Sequence, residues 1–125
     1  SDYAGRKLVL YFYPKDNTPA CTAEACNFRD NFYELRHAGY EILGVSIDGG
    51  DSHNKFIDRH ELPFPLIADV DKRLIEQFGL WVEKTMAGKK YMGTQRATFL
   101  IDENGLIFWR IRRSKRRSMP NKFWR

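Results

Sequence analysis

Residues 7–13 (KLVLYFY) form an apolar, β-branched and aromatic run without polar alternation. A strand with one face in water alternates apolar and polar residues, so an uninterrupted run must be covered on both faces. Pro14 stops it, and Lys15-Asp16-Asn17-Thr18-Pro19 is turn chemistry. Residues 22–37 then read as one helix, with Phe28, Phe32 and Leu35 on an apolar face and Gly39 just beyond its end. The alternation recurs: a buried strand at 41–47 (EILGVSI), a helix capped by Asp51-Ser52 and running to about residue 60, a short strand at 65–68 and a short helix at 71–78. A strand at 97–101 meets the hairpin signal Asn104-Gly105, with 106–111 returning. The expected fold class is α/β, a largely parallel central sheet flanked by helices plus an antiparallel hairpin.

The 125 residues make one domain's worth of chain, and no apolar run approaches the roughly 18 residues of a membrane span. The first residues carry neither the basic flank nor the apolar stretch of a signal peptide, so a cytoplasmic protein without membrane contact is expected. Charge is unevenly placed. Eight of the 21 basic residues and none of the 16 acidic ones lie beyond Glu103. The expected division is a folded domain at 1–111 and an exposed or disordered basic tail at 112–125. Basic residues interleaved with Trp109 and Trp124 could bind nucleic acid or an anionic surface, but such a charge run is more often simply solvated.

Cys21 and Cys26 are the two cysteines, too few for a disulfide scaffold and too close for a staple to gain much loop entropy. A redox-active pair fits their spacing better. Cys21 stands where the 14–20 loop feeds a helix, and the unpaired N–H groups at a helix start stabilise a thiolate, the nucleophilic form. Cys26 lies further along the same helix. Five residues give about 7.5 Å of rise and about 140° of net rotation, hence a Cα–Cα distance of roughly 8.6 Å. A disulfide needs about 4.4–6.8 Å. If the two pair, the helix must unwind locally, and a sulfenic acid on Cys21 would be the species that condenses with the second thiol. The plainer alternatives are a buried inert thiol at Cys21 and a core residue at Cys26.

The segment Tyr11-Phe12-Tyr13-Pro14-Lys15-Asp16-Asn17-Thr18-Pro19-Ala20-Cys21-Thr22-Ala23-Glu24-Ala25-Cys26 resembles the active-site segment of the PrxQ peroxiredoxins, also called bacterioferritin comigratory proteins. Pro14, Thr18 and Cys21 meet the peroxiredoxin pattern Pro-x-x-x-Thr-x-x-Cys, and the second Cys five residues on marks this subclass. Arg96-Ala97-Thr98-Phe99-Leu100-Ile101-Asp102 resembles the strand that brings the family's arginine, and residues 88–93 (GKKYMG) are similar too. The likeness runs from about residue 1 to about residue 105.

The resemblance implies a thioredoxin-like fold and reduction of hydrogen peroxide or organic hydroperoxides with no metal or haem. It implies Cys21 as the peroxidatic and Cys26 as the resolving cysteine. Pro14 would shield the site, Thr18 hydrogen-bond the peroxide, and Arg96 stabilise thiolate and transition state. Thioredoxin or a similar dithiol is the implied reductant, and a monomer the implied state. Ala20 stands where the family often has Gly, the usual N-terminal hairpin is absent, and the Arg- and Trp-rich end replaces the family's C-terminal helix.

Two other functions compete. A thioredoxin-like dithiol oxidoreductase would ordinarily carry Cys-x-x-Cys, which this spacing is not; a basic nucleic-acid-binding module would rest on the tail. No Cys/His spacing resembles a zinc site, and Asp48, Asp51 and His53 read as a solvated loop and helix cap rather than a metal cluster, so no cofactor is expected. The aromatics Tyr11, Phe12, Tyr13, Phe28, Phe32, Phe56, Phe64 and Phe78 are expected in the core.

Overall fold

The computed structural model describes residues 5–111; the basic tail expected at 112–125 lies outside the described residues. In chain order the elements are β1 (Lys7–Phe12), α1 (Pro19–Asp30), α2 (Phe32–His37), β2 (Tyr40–Ser46), α3 (Gly50–His60), β3 (Leu66–Ala68), α4 (Arg73–Gln77), β4 (Trp81–Met86), β5 (Lys89–Thr94), β6 (Ala97–Ile101) and β7 (Ile107–Ile111). Five strands form one mixed sheet in the order β3-β2-β1-β6-β7. β1, β2 and β3 run parallel, whereas β6 is antiparallel to β1 and β7 antiparallel to β6.

β1 sits at the centre, and its period of two divides the core. Val9, Tyr11 and Tyr13 pack with Cys21, Ala25, Phe28, Leu35 and Phe56 from α1, α2 and α3. Leu8, Leu10 and Phe12 face the other way, onto Ile75, Leu80, Ala97 and Phe99. Each large apolar side chain buried in these layers contributes roughly 1.5–3 kcal/mol. Of the aromatics expected inside, Phe32 and Phe78 are partly buried at the margins of the two layers and the rest are fully covered.

Four local readings need correction. Residues 22–37 are two helices, because Asn31 leaves helical geometry (φ −106°, ψ 12°). Its side-chain amide donates to the Asn27 carbonyl at 2.8 Å, competing with the backbone ladder. Secondly, α3 begins at Gly50 with Gly49 as its cap residue, so Asp51 and Ser52 belong to its first turn and not to its cap. Thirdly, the β4–β5 hairpin was not anticipated; it turns at Ala87 (φ 54°) and Gly88 (φ 80°). Finally, Trp109, grouped with the basic residues as a binding feature, lies on the returning strand β7 and packs against the core.

At Gly44 on β2, side chains from β1 and β3 leave no room for a Cβ. A Cβ there would stand 2.7 Å from Leu66 Cδ2 and 2.9 Å from Tyr11 Cζ. The Tyr11 ring cannot retreat, being stacked on Phe28 at 4.6 Å and on Tyr13 at 5.5 Å. Gly44→Ala should therefore destabilise the protein by about 1–3 kcal/mol, read as a lowered urea midpoint. An unchanged midpoint would mean that this layer has slack.

Candidate active site

Where β1 leaves the sheet, Pro14 breaks the run and is half-buried. Asn17 then takes a left-handed conformation (φ 64°), a strain that asparagine tolerates better than most residues. Thr18 returns to extended geometry (φ −86°, ψ 154°), and Pro19 opens α1 with its φ pre-set for a helix. The Thr22 N–H closes the first helical bond, onto the Thr18 carbonyl at 2.8 Å. N–H groups ahead of it have no partner within the helix and point outward.

Cys21 stands in this first turn. With Ala25 and Phe28 it makes the i, i+4, i+7 face turned to the sheet, and it is only 1% exposed. Arg96, between β5 and β6, reaches over to it, its Nη2 donating to Cys21 Sγ at 3.2 Å. Nη1 of the same guanidinium donates to Glu24 Oε1 at 2.6 Å. The sequence placed Cys21 and Arg96 in one site, and the fold brings them into contact across 75 positions of chain.

Glu24 was missed, since a lone carboxylate in an Ala-rich helix ordinarily reads as solvated. Here its side chain is 8% exposed and Oε2 has no partner among the described residues. Burial pushes its carboxyl up to about 7, against the pull of the Arg96 charge and hydrogen bond. Burial works against the Arg96 cation too, but the Glu24 and Cys21 charges and their hydrogen bonds outweigh it and raise its pKa. Lys84, on the unforeseen hairpin, is a second residue the sequence missed, and a cation. Burial and then the Arg96 charge lower its pKa, while the field of Cys21 acts in the opposite sense.

Thr18 donates its hydroxyl to the Lys15 carbonyl at 3.0 Å and makes no side-chain cap to α1. Cys26 is half-buried, its Sγ lying 4.0 Å from His60 Nδ1, and both thiols are free. The intact α1 thus holds Cys21 against Arg96 and Cys26 against α3. The reading of Asp48, Asp51 and His53 as solvated loop and cap fails at its centre. Asp51 is exposed, but Asp48 is half-buried, and His53 is 3% exposed and bonded to Asp16. Among the described residues no cluster of His, Cys, Asp or Glu is arranged to hold a metal.

The Glu24 pKa carries a consequence for stability. Between its ordinary value of 4.5 and about 7 the folded protein keeps a proton that the unfolded chain has released, so this group's contribution falls as pH rises through that window. Glu24→Gln should flatten the corresponding part of the stability profile, measured by urea denaturation from mildly acidic to neutral pH. A profile identical to wild type would contradict this placement of the proton.

The sequence pattern of the AhpC/TSA family matches residues 1–110, beyond the residue 105 at which the likeness was expected to end. The peroxiredoxin Bcp of Bacillus subtilis is 49% identical over 112 residues, covering 88% of this chain and 71% of its own. The putative peroxiredoxin bcp of Coxiella burnetii is 51% identical over 106 residues, covering 85% of this chain and 70% of the relative. Among solved structures, the bacterioferritin comigratory protein of Xanthomonas campestris, studied for its alkyl peroxide reduction activity, superposes with a TM-score of 0.85 at 42% identity, over 90% of this chain and 72% of that one. A PrxQ variant from Xylella fastidiosa gives a TM-score of 0.91 at 36% identity, over 98% and 76% of the two chains. The fold is thus thioredoxin-like, as the resemblance implied. With this identity sustained over most of its length, the chain belongs to the AhpC/TSA family and, within it, to the PrxQ or bacterioferritin comigratory peroxiredoxins, which are thiol-dependent peroxidases.

Proposed function

We propose that the chain reduces hydrogen peroxide and organic hydroperoxides at Cys21, that Cys26 resolves the product as an intramolecular disulfide, and that thioredoxin or a similar dithiol reopens it. The observation that carries this reading is the contact of Arg96 Nη2 with the buried Cys21 sulfur at a helix start. The Cys21 thiolate attacks the terminal peroxide oxygen, the O–O bond breaks, and the electron pair leaves with the distal oxygen as water or alcohol once protonated. Arg96 and the free N–H groups of α1 are preorganised donors for the charge that develops. Thr18, its own proton committed to the Lys15 carbonyl, has lone pairs left to accept the peroxide O–H. Pro14 walls the loop side without offering an N–H.

The Cys21 sulfenic acid then condenses with the Cys26 thiol. The sulfur–sulfur bond forms, the S–O bond breaks, and hydroxide leaves with the thiol's proton as water. An intact α1 separates the two Cα atoms by roughly 8.6 Å, so the first turns must open for this step. A reduced, cytoplasmic monomer is the setting proposed, because the cycle starts from two free thiols. No helix among the described residues is long and apolar enough to cross a membrane. The thioredoxin-like alternative has no Cys-x-x-Cys to support it, and the nucleic-acid alternative rests on a tail outside the described residues.

Peroxide consumption coupled to thioredoxin, thioredoxin reductase and NADPH tests the reading. Cys21→Ser should fall to background, and Cys26→Ser should lose steady-state turnover while its Cys21 over-oxidises to the sulfinic acid more readily than in wild type. Thr18→Val should slow the peroxide step by about 10²-fold, the loss expected for one preorganised group. Wild-type turnover that survives Cys21→Ser would sink the proposal.

A further inference from the structure

Behind the loop that carries Pro14 and Thr18 lies a charged side chain with almost no access to water: Asp16, 5% exposed. Its Oδ1 accepts the Tyr13 hydroxyl at 2.6 Å. Its Oδ2 accepts the Ser52 hydroxyl at 2.8 Å and faces His53 Nδ1 at 2.8 Å. Its backbone N–H donates to Asp48 Oδ2 at 2.7 Å, an oxygen that also takes the Ser46 hydroxyl at 2.8 Å. The end of β1, the loop after β2 and the first turn of α3 therefore converge on one residue.

The His53 ring settles the charge. Its Nε2 stands 3.0 Å from the Ile67 carbonyl on β3, which can only accept, so Nε2 carries a proton. Nδ1 faces a carboxylate already drawing on two hydroxyl donors, and all three contacts favour the ionised acid. Both nitrogens are then placed to donate, which is the arrangement of an imidazolium. The other titratable groups facing this pair are Asp48 from the loop after β2 and Tyr13 at the end of β1. On α3 itself, Asp51 and Lys55 are exposed.

We infer that the buried Asp16–His53 ion pair positions the peroxide-binding loop, by fixing the turn in which the Lys15 carbonyl accepts the Thr18 hydroxyl hydrogen bond. The inference rests on the peroxidase reading of Cys21 and Thr18. Asp16 lies between Lys15 and the left-handed Asn17, so anchoring it on both its carboxylate and its N–H fixes the backbone on either side. A buried ion pair is a weak source of net stability, because desolvation offsets most of the attraction. Holding one geometry is what it can contribute. Asp16 and His53 touch neither sulfur nor peroxide and are positioning residues.

The pH behaviour follows in sign. Burial disfavours the His53 cation, but the Asp16 bond and charge, the Ile67 carbonyl and the Asp48 charge raise its pKa above 6.5. Its contribution is complete below that value and is lost as pH rises through the raised one. Burial likewise disfavours the Asp16 anion, yet bonds from His53, Tyr13 and Ser52 hold its pKa below 3.8, so its contribution is lost only as pH falls through that lowered value. The clamp is complete below the ordinary histidine value of 6.5 and is lost as pH rises through the raised one.

Two measurements test it on the full chain. Long-range ¹H–¹⁵N correlation spectra of the reduced protein should show both His53 ring nitrogens protonated below the ordinary histidine value of 6.5; a ring protonated on one nitrogen there would overturn the ion pair. Single-turnover oxidation of Cys21 by hydrogen peroxide should be roughly 10–100-fold slower in His53→Gln, the scale of a misplaced reacting group, and the alkaline decline of wild type should disappear. A rate and pH profile equal to wild type would overturn the positioning role. Ser52→Ala, which removes one donor and leaves the pair, serves if His53→Gln does not fold; it should be slower than wild type at neutral pH and lose rate at a less alkaline pH, and an unchanged profile overturns the role equally. A wild type that fails to react at Cys21 defeats the peroxidase reading and the positioning role together, while the spectra still decide the ion pair.

Discussion

One guanidinium organises the site. Arg96 is held in a fork, one nitrogen on Glu24 at 2.6 Å and another on the Cys21 sulfur at 3.2 Å, and so couples the start of β6 to the first turns of α1. A single cation buried beside a sulfur would be expensive to desolvate; Glu24 offsets that expense and fixes the plane of the group. A lysine would bring the charge without the fork. The Glu24 carboxyl in turn sits near its own protonation threshold, because burial and the Arg96 charge oppose each other there. How much positive field reaches the sulfur therefore depends on a proton only one helical turn away.

The same helix that presents Cys21 keeps Cys26 out of its reach, and its stability is unevenly distributed. Its later part is anchored by Ala25 and Phe28, buried to 0% and 1% exposure against β1. Its first turn carries no side-chain cap. Thr18 gives its hydroxyl to Lys15 rather than to a helical N–H, and no acidic side chain faces the dipole in that turn. A side-chain cap is ordinarily worth about 1 kcal/mol, so its absence lowers the free energy of opening the turn that the proposed resolution must unwind. Committing the Thr18 hydroxyl to the loop would thus serve both the proposed substrate binding and the proposed helix opening.

The sequence carried the parts of this arrangement that depend on local pattern. The unbroken run of β1 announced a two-faced core, and Pro14, Thr18 and Cys21 lie close enough in sequence to be read together. Arg96 was legible only through the resemblance of residues 96–102 to the family's strand. What escaped needed the folded chain. Asn31 breaks a helix through its own side chain, with no Gly or Pro to signal the break. The β4–β5 strands are largely exposed on both faces and show no apolar alternation. Glu24, His53 and Asp48 looked like surface charges, because nothing local says that a partner 72, 37 or 32 positions away will meet them in the interior.

The central claim is that α1 holds the two thiols apart when folded and must open for them to join. Amide hydrogen exchange on reduced protein and on protein treated with one equivalent of hydrogen peroxide measures that opening directly. The account predicts that residues 19–26 lose protection on oxidation, while β1, β2 and β6 keep theirs. Unchanged protection across α1, in a sample whose peptides contain the Cys21–Cys26 disulfide, would contradict it.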